Sequence, residues 1–137
     1  MRTGGCQCGA VRYEVPDEPH ALFACHCLEC QKQSASAHGI SYIVRRSDLR
    51  LTRGKPSSWV RAADSGNRLR CWFCPDCGSR LFHESEPAGD DWASVKGGSL
   101  DEPVDFAKAV HIWTARKLPG VVIPPGATQY PGEPPEN

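Results

Sequence analysis

The chain has 137 residues, of which 39% are hydrophobic and eight are cysteine, and 16 Lys and Arg balance 16 Asp and Glu. This zero net charge argues against a general nucleic-acid binder, because such proteins need a positive electrostatic footprint. No apolar stretch is long enough to cross a membrane and no signal-peptide core is evident, so we expect a cytoplasmic protein whose cysteines bind metal or catalyse.

Short runs of alternating or β-branched residues, separated by Gly, Pro, Asp and Ser, predict strands along most of the chain. In chain order these strands are residues 11–15, 21–25, 39–44, 49–52, 57–62, 69–73, 80–84 and 110–115. Helix is scarce: we predict a short one over 28–35 and a turn over 103–108, with Asp101 as its N-cap. The pattern predicts a mainly β sandwich or open barrel in one domain over residues 1–137. Its Pro/Gly-rich tail, from about residue 119, is expected to be extended and partly disordered at its end.

The sharpest motif is Cys74-Pro75-Asp76-Cys77-Gly78. Two thiolates three positions apart can face one metal when proline fixes the entry to a tight turn and glycine permits the positive φ that closes it. A redox-active pair is the alternative, but it needs a βαβ context that this chain does not offer. Cys6 and Cys8, flanked by glycines, are the natural partners. These four cysteines therefore predict a closed structural zinc site.

Cys25, Cys27 and Cys30 fall within six residues and can cap one metal from one side. Such a tripod leaves a coordination position open, which is typical of catalytic zinc. Alternatives are an iron–sulfur cluster or a second structural site. The latter would be closed by His26, His38, His83, His111 or Cys71. Cys71 also offers a competing pair with Cys74, but we interpret it as a packed or partly exposed free thiol.

Three segments of the chain carry a family resemblance: residues 4–13 (GGCQCGAVRY), 25–31 (CHCLECQ) and 73–82 (FCPDCGSRLF). Together with the late segments 111–113 and 117–130, they resemble the glutathione-dependent formaldehyde-activating enzyme family, which includes centromere-protein-V-like members. The resemblance runs from residue 4 to about residue 131. The chain departs from the family pattern at residues 34–37 and at Gly120, both of which we expect near the substrate cleft.

The resemblance implies an Mss4-like fold of short antiparallel strands in packed sheets, with zinc-binding cysteine knuckles. It implies two zinc ions: a structural one at Cys6, Cys8, Cys74 and Cys77, and a labile, catalytic one at Cys25, Cys27 and Cys30. The implied activity is that of S-(hydroxymethyl)glutathione synthase, a carbon–sulfur lyase. The implied partner is glutathione or another small thiol, bound by a monomer or homodimer. A non-enzymatic module with two structural metal sites is the alternative.

Zinc held by three thiolates carries a net charge of about −1, so it suits holding a fourth thiolate better than polarising a carbonyl. Five arginines are candidates to meet the two carboxylates of glutathione: Arg45, Arg46, Arg61, Arg68 and Arg70. We expect His26 to point outward, with an acid–base role in the tripod loop as the alternative. We expect His111 to be a satisfied strand residue.

Overall fold

A computed structural model of the chain describes residues 1–63, 66–88 and 91–135. The strands are β1 (Arg2–Gly5), β2 (Arg12–Val15), β3 (Ala21–Cys25), β4 (Gly39–Arg45), β5 (Arg50–Arg53), β6 (Ser57–Ala62), β7 (Arg68–Phe73), β8 (Arg80–Ser85), β9 (Trp92–Lys96) and β10 (Val110–Ile112). The α-helix described is α1 (Leu28–Ser34), and short 3-10 helices cover Arg46–Asp48, Gly97–Ser99, Phe106–Lys108 and Thr114–Arg116.

All eight predicted strands are present, seven of them within one residue of the expected bounds at each end. The last one is shorter than predicted, because Trp113 takes a left-handed φ of 56° and ends β10 at Ile112. Two strands were missed. β1 is half glycine, and β9 lies between clusters of Gly and Asp.

The strands form two sheets. A three-stranded sheet has the order β1-β2-β5, and a seven-stranded sheet has the order β10-β3-β4-β9-β8-β7-β6. The named strands pair antiparallel, apart from β10, which lies parallel to β3 with His111 beside Ala24. The prediction of a mainly β fold of packed, largely antiparallel strands is confirmed.

The main hydrophobic core lies between the two sheets. Val11, Tyr13 and Val15 come from the three-stranded side, and Tyr42, Val44, Phe82, Ala93 and Val95 come from the seven-stranded side. Each of these side chains is at most 2% exposed. Because side chains alternate along a strand, residues such as Ser94 and Lys96 in β9 lie on the opposite face of the large sheet from Ala93 and Val95.

Asp101 is not the N-cap of the turn at 103–108. The 3-10 helix there begins at Phe106, so the capping position falls to Asp105, whose carboxylate accepts a hydrogen bond from the Ala107 N–H. Asp101 instead accepts hydrogen bonds from Thr3 and from the Arg12 guanidinium. It therefore ties the segment after β9 to the three-stranded sheet.

The Pro/Gly-rich tail is extended where it lies parallel to β10. The expected disorder at its end falls on residues 136–137, which lie outside the described ranges. The His111 N–H donates to Thr128 O, and the Tyr130 N–H donates to His111 O, each over 2.9 Å. Trp113 Nε1 donates to the Glu133 carboxylate over 2.7 Å. Within the described ranges, no helix has the length and apolar character needed to span a membrane.

Candidate metal centres and active site

The four-cysteine cluster joins two hairpin turns. Cys6 and Cys8 lie between β1 and β2, and Cys74 and Cys77 lie in the turn between β7 and β8. Their four sulfur atoms lie within 4.8 Å of one another. The Cys6–Cys8 sulfur distance is 3.6 Å and the Cys8–Cys74 distance is 3.7 Å. Tetrahedral zinc with Zn–S bonds of about 2.3 Å needs sulfur separations of about 3.8 Å, so this donor set fits zinc.

Backbone and hydroxyl donors point at these sulfurs. The Val11 N–H donates to Cys6 Sγ over 3.2 Å, and the Asp76 N–H donates to Cys74 Sγ over 3.4 Å. The hydrogen bond with Ser79 Oγ lowers the pKa of Cys77 to about 5. Gly78 has a φ of +82°, the left-handed conformation predicted for the end of the knuckle. The donors to Cys6 and Cys77 therefore favour the thiolate, the form that binds metal.

The three-cysteine cluster lies where β3 meets α1. Cys25 ends β3, Cys27 is the N-cap of α1, and Cys30 lies in the first turn of the helix. Their sulfurs also lie within 4.8 Å of one another, a spacing that can hold one metal ion. In the parts of the chain that the structure describes, no other His, Cys, Asp or Glu joins this cluster. The histidines considered as closing ligands are thus not brought to it.

The surroundings of the three-cysteine cluster are mostly apolar. Cys25 and Cys30 pack with Ile112, and Phe23, Val110, Trp113 and Tyr130 surround them. The Cys30 N–H donates to Cys27 Sγ over 3.3 Å, and Gln33 Nε2 donates to Cys30 Sγ over 3.6 Å. Hydrogen bonds within the cluster raise the pKa of Cys25 and lower that of Cys30 to about 2. Protonation is thus unequal across three neighbouring thiols.

Comparison with known proteins identifies the family of this chain and supports its fold. A model of the family described as glutathione-dependent formaldehyde-activating enzyme matches residues 1–116. The chain belongs to this family. A crystal structure of a Rhodobacter sphaeroides protein superimposes with a TM-score of 0.61 at 25% sequence identity, covering 80% of this chain and 98% of that one. The mainly β architecture is the Mss4-like fold of the family, and membership supports a glutathione-related, formaldehyde-activating function.

His26 points inward, so the expectation that it faces solvent was wrong. It is 0% exposed, and its Nε2 lies 2.9 Å from Nδ1 of His111, which is also buried. The His26 N–H donates to Ile112 O, which holds the tripod loop under β10. The ring of His38 lies 5.2 Å from that of His26 and stacks on Phe106. His26, His38 and His111 thus form a cluster of histidines beside the cysteine loop.

Burial of the histidine cluster predicts acid sensitivity. Burial, with neighbouring His38 and His111, lowers the pKa of His26 to about 4, and burial also lowers the pKa of His38. An unfolded histidine titrates near 6.5, so between pH 6.5 and 4 the unfolded state binds protons that the folded state does not. We expect the free energy of unfolding to fall over this range. The measurement is urea unfolding at several pH values. Protonation of the metal ligands also lowers stability in acid, but it contributes equally to the wild type and to the histidine variants compared below.

His38→Leu should show a smaller loss of stability on acidification than the wild type. The matched control is His20→Leu, which changes an exposed histidine outside the cluster and should keep the wild-type slope. Equal slopes in all three proteins would show that the cluster does not set the acid response.

Three of the five candidate arginines are engaged elsewhere. Arg45 pairs with Asp91 over 3.4 Å, Arg46 with Glu84 over 2.7 Å, and Arg70 with Glu86 over 2.8 Å. Arg68 is exposed, and Arg61 lies close enough to His83 to affect its charge. The cations nearest the three-cysteine cluster include one that the sequence interpretation missed, Lys96. The alternation of residues in β9, had it been recognised as a strand, would have predicted the position of Lys96 on the outer face of the sheet.

Cys71 is a packed free thiol, as expected. It is 0% exposed in β7 and lies opposite Trp59 in β6 and His83 in β8. It joins neither metal cluster among the described residues. It therefore provides a buried cysteine outside the ligand sets for comparison with the others.

Proposed function

We propose that this protein is a zinc-dependent carbon–sulfur lyase of the S-(hydroxymethyl)glutathione synthase type, acting on an adduct of glutathione or another small thiol. Cys6, Cys8, Cys74 and Cys77 hold a structural zinc, and Cys25, Cys27 and Cys30 hold a labile, catalytic one. The observation that carries the proposal is the convergence of three sulfurs with no fourth ligand among the described residues. Family membership supports the choice of glutathione and formaldehyde.

In the proposed reaction the cysteines and the aromatic residues around them have separate roles. Cys25, Cys27 and Cys30 would hold the metal and leave a position open for substrate. Zinc held there would supply a cation that keeps an incoming thiol deprotonated at neutral pH. Phe23, Trp113 and Tyr130 limit the access of water to the cluster. The reaction adds the thiol sulfur to the carbonyl carbon of formaldehyde, and the oxygen takes up the proton that the thiol lost.

The reverse reaction breaks the carbon–sulfur bond and returns the thiol and the aldehyde. Holding the thiol in place next to the aldehyde also makes the addition effectively unimolecular. In this proposal residues 1–137 act as one zinc-binding domain. The tail from about residue 119 supports β10 and, through it, the cysteine loop. The domain acts in the cytoplasm as a monomer or homodimer.

Zinc content and turnover together test the proposal. The protein should bind two zinc ions per chain, and a mild chelator should remove one of them without unfolding the protein, because three ligands hold less firmly than four. Formation and decomposition of S-(hydroxymethyl)glutathione, followed by NMR, should stop with loss of that ion and return on adding zinc. Two tight and inert zinc ions without turnover would instead support the non-enzymatic module.

A further inference from the structure

Buried polar groups without hydrogen-bond partners are concentrated beside the three-cysteine cluster. Nine such side-chain atoms occur among the described residues, and six of them belong to five residues on or next to the outer face of the large sheet. They are Gln33 Oε1, Arg80 Nε and Nη2, His83 Nδ1, Ser94 Oγ and Lys96 Nζ. Native proteins leave few buried polar groups unpaired, so a cluster of them requires a physical reason.

Strand register places three of these residues, His83, Ser94 and Lys96, on one surface. His83 in β8 lies opposite Ser94 in β9, and Lys96 follows two positions later on the same side. Cys71 and the half-exposed Trp59 continue the row through His83 toward the sheet edge. All of these residues face away from the core that Ala93 and Val95 fill.

The same surface reaches the three-cysteine cluster. The Lys96 ammonium interacts electrostatically with Cys30 and Cys25. Gln33, whose Oε1 lacks a partner, donates through Nε2 to Cys30 Sγ over 3.6 Å. Gly39 lies against both residues of this contact. A Cβ at Gly39 would lie 3.3 Å from Cys30 Cβ and 3.9 Å from Gln33 Nε2. Lys96 and Gln33 therefore lie next to the three-cysteine cluster, where the substrate thiol is proposed to bind.

The cations on this surface have no carboxylate partner within the described part of the chain. Within residues 1–63, 66–88 and 91–135, none of the ion pairs includes Arg80 or Lys96. Burial, followed by repulsion from Lys96, Arg61 and Arg80, lowers the pKa of His83 well below its usual value. Thiolates of Cys30 and Cys25 attract Lys96, but no carboxylate pairs with Arg80 or Lys96 among the described residues. Buried cations that lack a carboxylate partner are costly, and a bound ligand can supply that anion.

We propose that Arg80, His83 and Lys96 form an anion-binding subsite next to the three-cysteine cluster, and that this subsite binds a carboxylate of the thiol substrate. Guanidinium and ammonium groups make strong charge-assisted hydrogen bonds to carboxylates. Ser94 and Gln33 offer further polar contacts. The inference rests on the proposed function for the identity of the ligand, since glutathione carries both a thiol and carboxylates.

The test compares glutathione with its diethyl ester, which keeps the thiol and lacks both carboxylate charges. Binding to the zinc-loaded protein is measured by calorimetry, and thiol coordination is followed by the absorption of cobalt-loaded protein. We expect the wild type to bind glutathione about 10- to 100-fold more tightly than the ester, the range for one charge-assisted hydrogen bond.

Lys96→Met should reduce this preference to about threefold or less while thiol coordination to cobalt persists. Its thermal midpoint should not fall, because the change removes a buried charge that has no carboxylate partner. Arg80→Met gives a second, independent measure of the same preference. The matched control is Lys55→Met, which changes an exposed lysine in the turn between β5 and β6 and should keep the wild-type preference.

Equal binding of glutathione and the ester to the wild type, with thiol coordination intact, would overturn the subsite but leave the proposed function standing. S-methylglutathione, which has no free thiol, tests the opposite case, in which the subsite is correct and the proposed thiol coordination is wrong. If it binds as tightly as glutathione and Lys96→Met weakens both, the subsite is supported and thiol coordination fails. Inorganic sulfate is the last probe. If sulfate binding depends on Lys96 while glutathione and the ester bind equally, the site binds a free anion, and the carboxylate assignment is overturned.

Discussion

Cys74→Ser is expected to unfold the protein under conditions where the wild type is fully folded. Cys74 is 0% exposed, and its sulfur lies 3.7 Å from that of Cys8 in the other hairpin. The substitution leaves three ligands at the site that links the three-stranded sheet to the turn between β7 and β8. Structural zinc contributes on the order of 10 kcal/mol to folding, comparable with the total stability of about 5–15 kcal/mol of a typical domain.

Cys71→Ser is the matched control for this prediction. It makes the same chemical change at another fully buried cysteine, three residues earlier and outside both clusters. The cost should be about 1–3 kcal/mol, the usual range for a buried polar replacement, and both zinc ions should remain. Circular dichroism, thermal midpoints and zinc content distinguish the two variants. A folded Cys74→Ser protein with two zinc ions would exclude the structural role.

Local sequence was sufficient to predict the four-cysteine geometry, because turn chemistry and ligand spacing act over short distances. Pro75 and Gly78 define the knuckle, and the observed positive φ at Gly78 follows from that requirement. Strands β3 and β6 likewise have the predicted bounds, since alternation and flanking turn residues specify them. The helix after the second motif was also predicted, and it ends at the left-handed Ala35.

Long-range pairing could not be predicted in this way. The parallel contact of β10 with β3 joins residues more than 80 positions apart, and it is this contact that turns His26 inward toward His111. The residues adjacent to His26 in the sequence do not predict its contact with His111. Strand β9 was missed because it lies between clusters of Gly and Asp, and the position of Lys96 next to the cysteines was missed with it. The fold and the ligands were therefore more accessible to prediction than the surroundings of the site.

The two metal clusters differ in how their ligands depend on the fold. The four-cysteine cluster draws ligands from turns about 66 residues apart, so the metal closes a long loop between two sheets. The three-cysteine cluster draws all its ligands from six consecutive residues, so its metal closes no long loop. Loss of metal from the second cluster should consequently affect chemistry more than folding.

Cys27→Ser makes that difference measurable. Cys27 is the N-cap of α1, and its sulfur accepts the Cys30 N–H over 3.3 Å. Serine is among the preferred N-cap residues, so the substitution keeps a hydrogen bond to the helix while removing a metal ligand. We expect a folded protein that binds one zinc ion and whose turnover of S-(hydroxymethyl)glutathione falls by more than about 100-fold, beyond the 10–100-fold typical of outer-shell partners.

Three measurements on Cys27→Ser separate the roles of the site. Circular dichroism and the thermal midpoint report on the fold, zinc content reports on the lost ion, and NMR reports on turnover. Cys71→Ser again serves as the control and should keep two zinc ions and wild-type turnover. Full turnover by a Cys27→Ser protein with one zinc ion would rule out thiol activation at the three-cysteine cluster. Unfolding of the variant would instead show that this cluster, like the four-cysteine one, stabilises the fold.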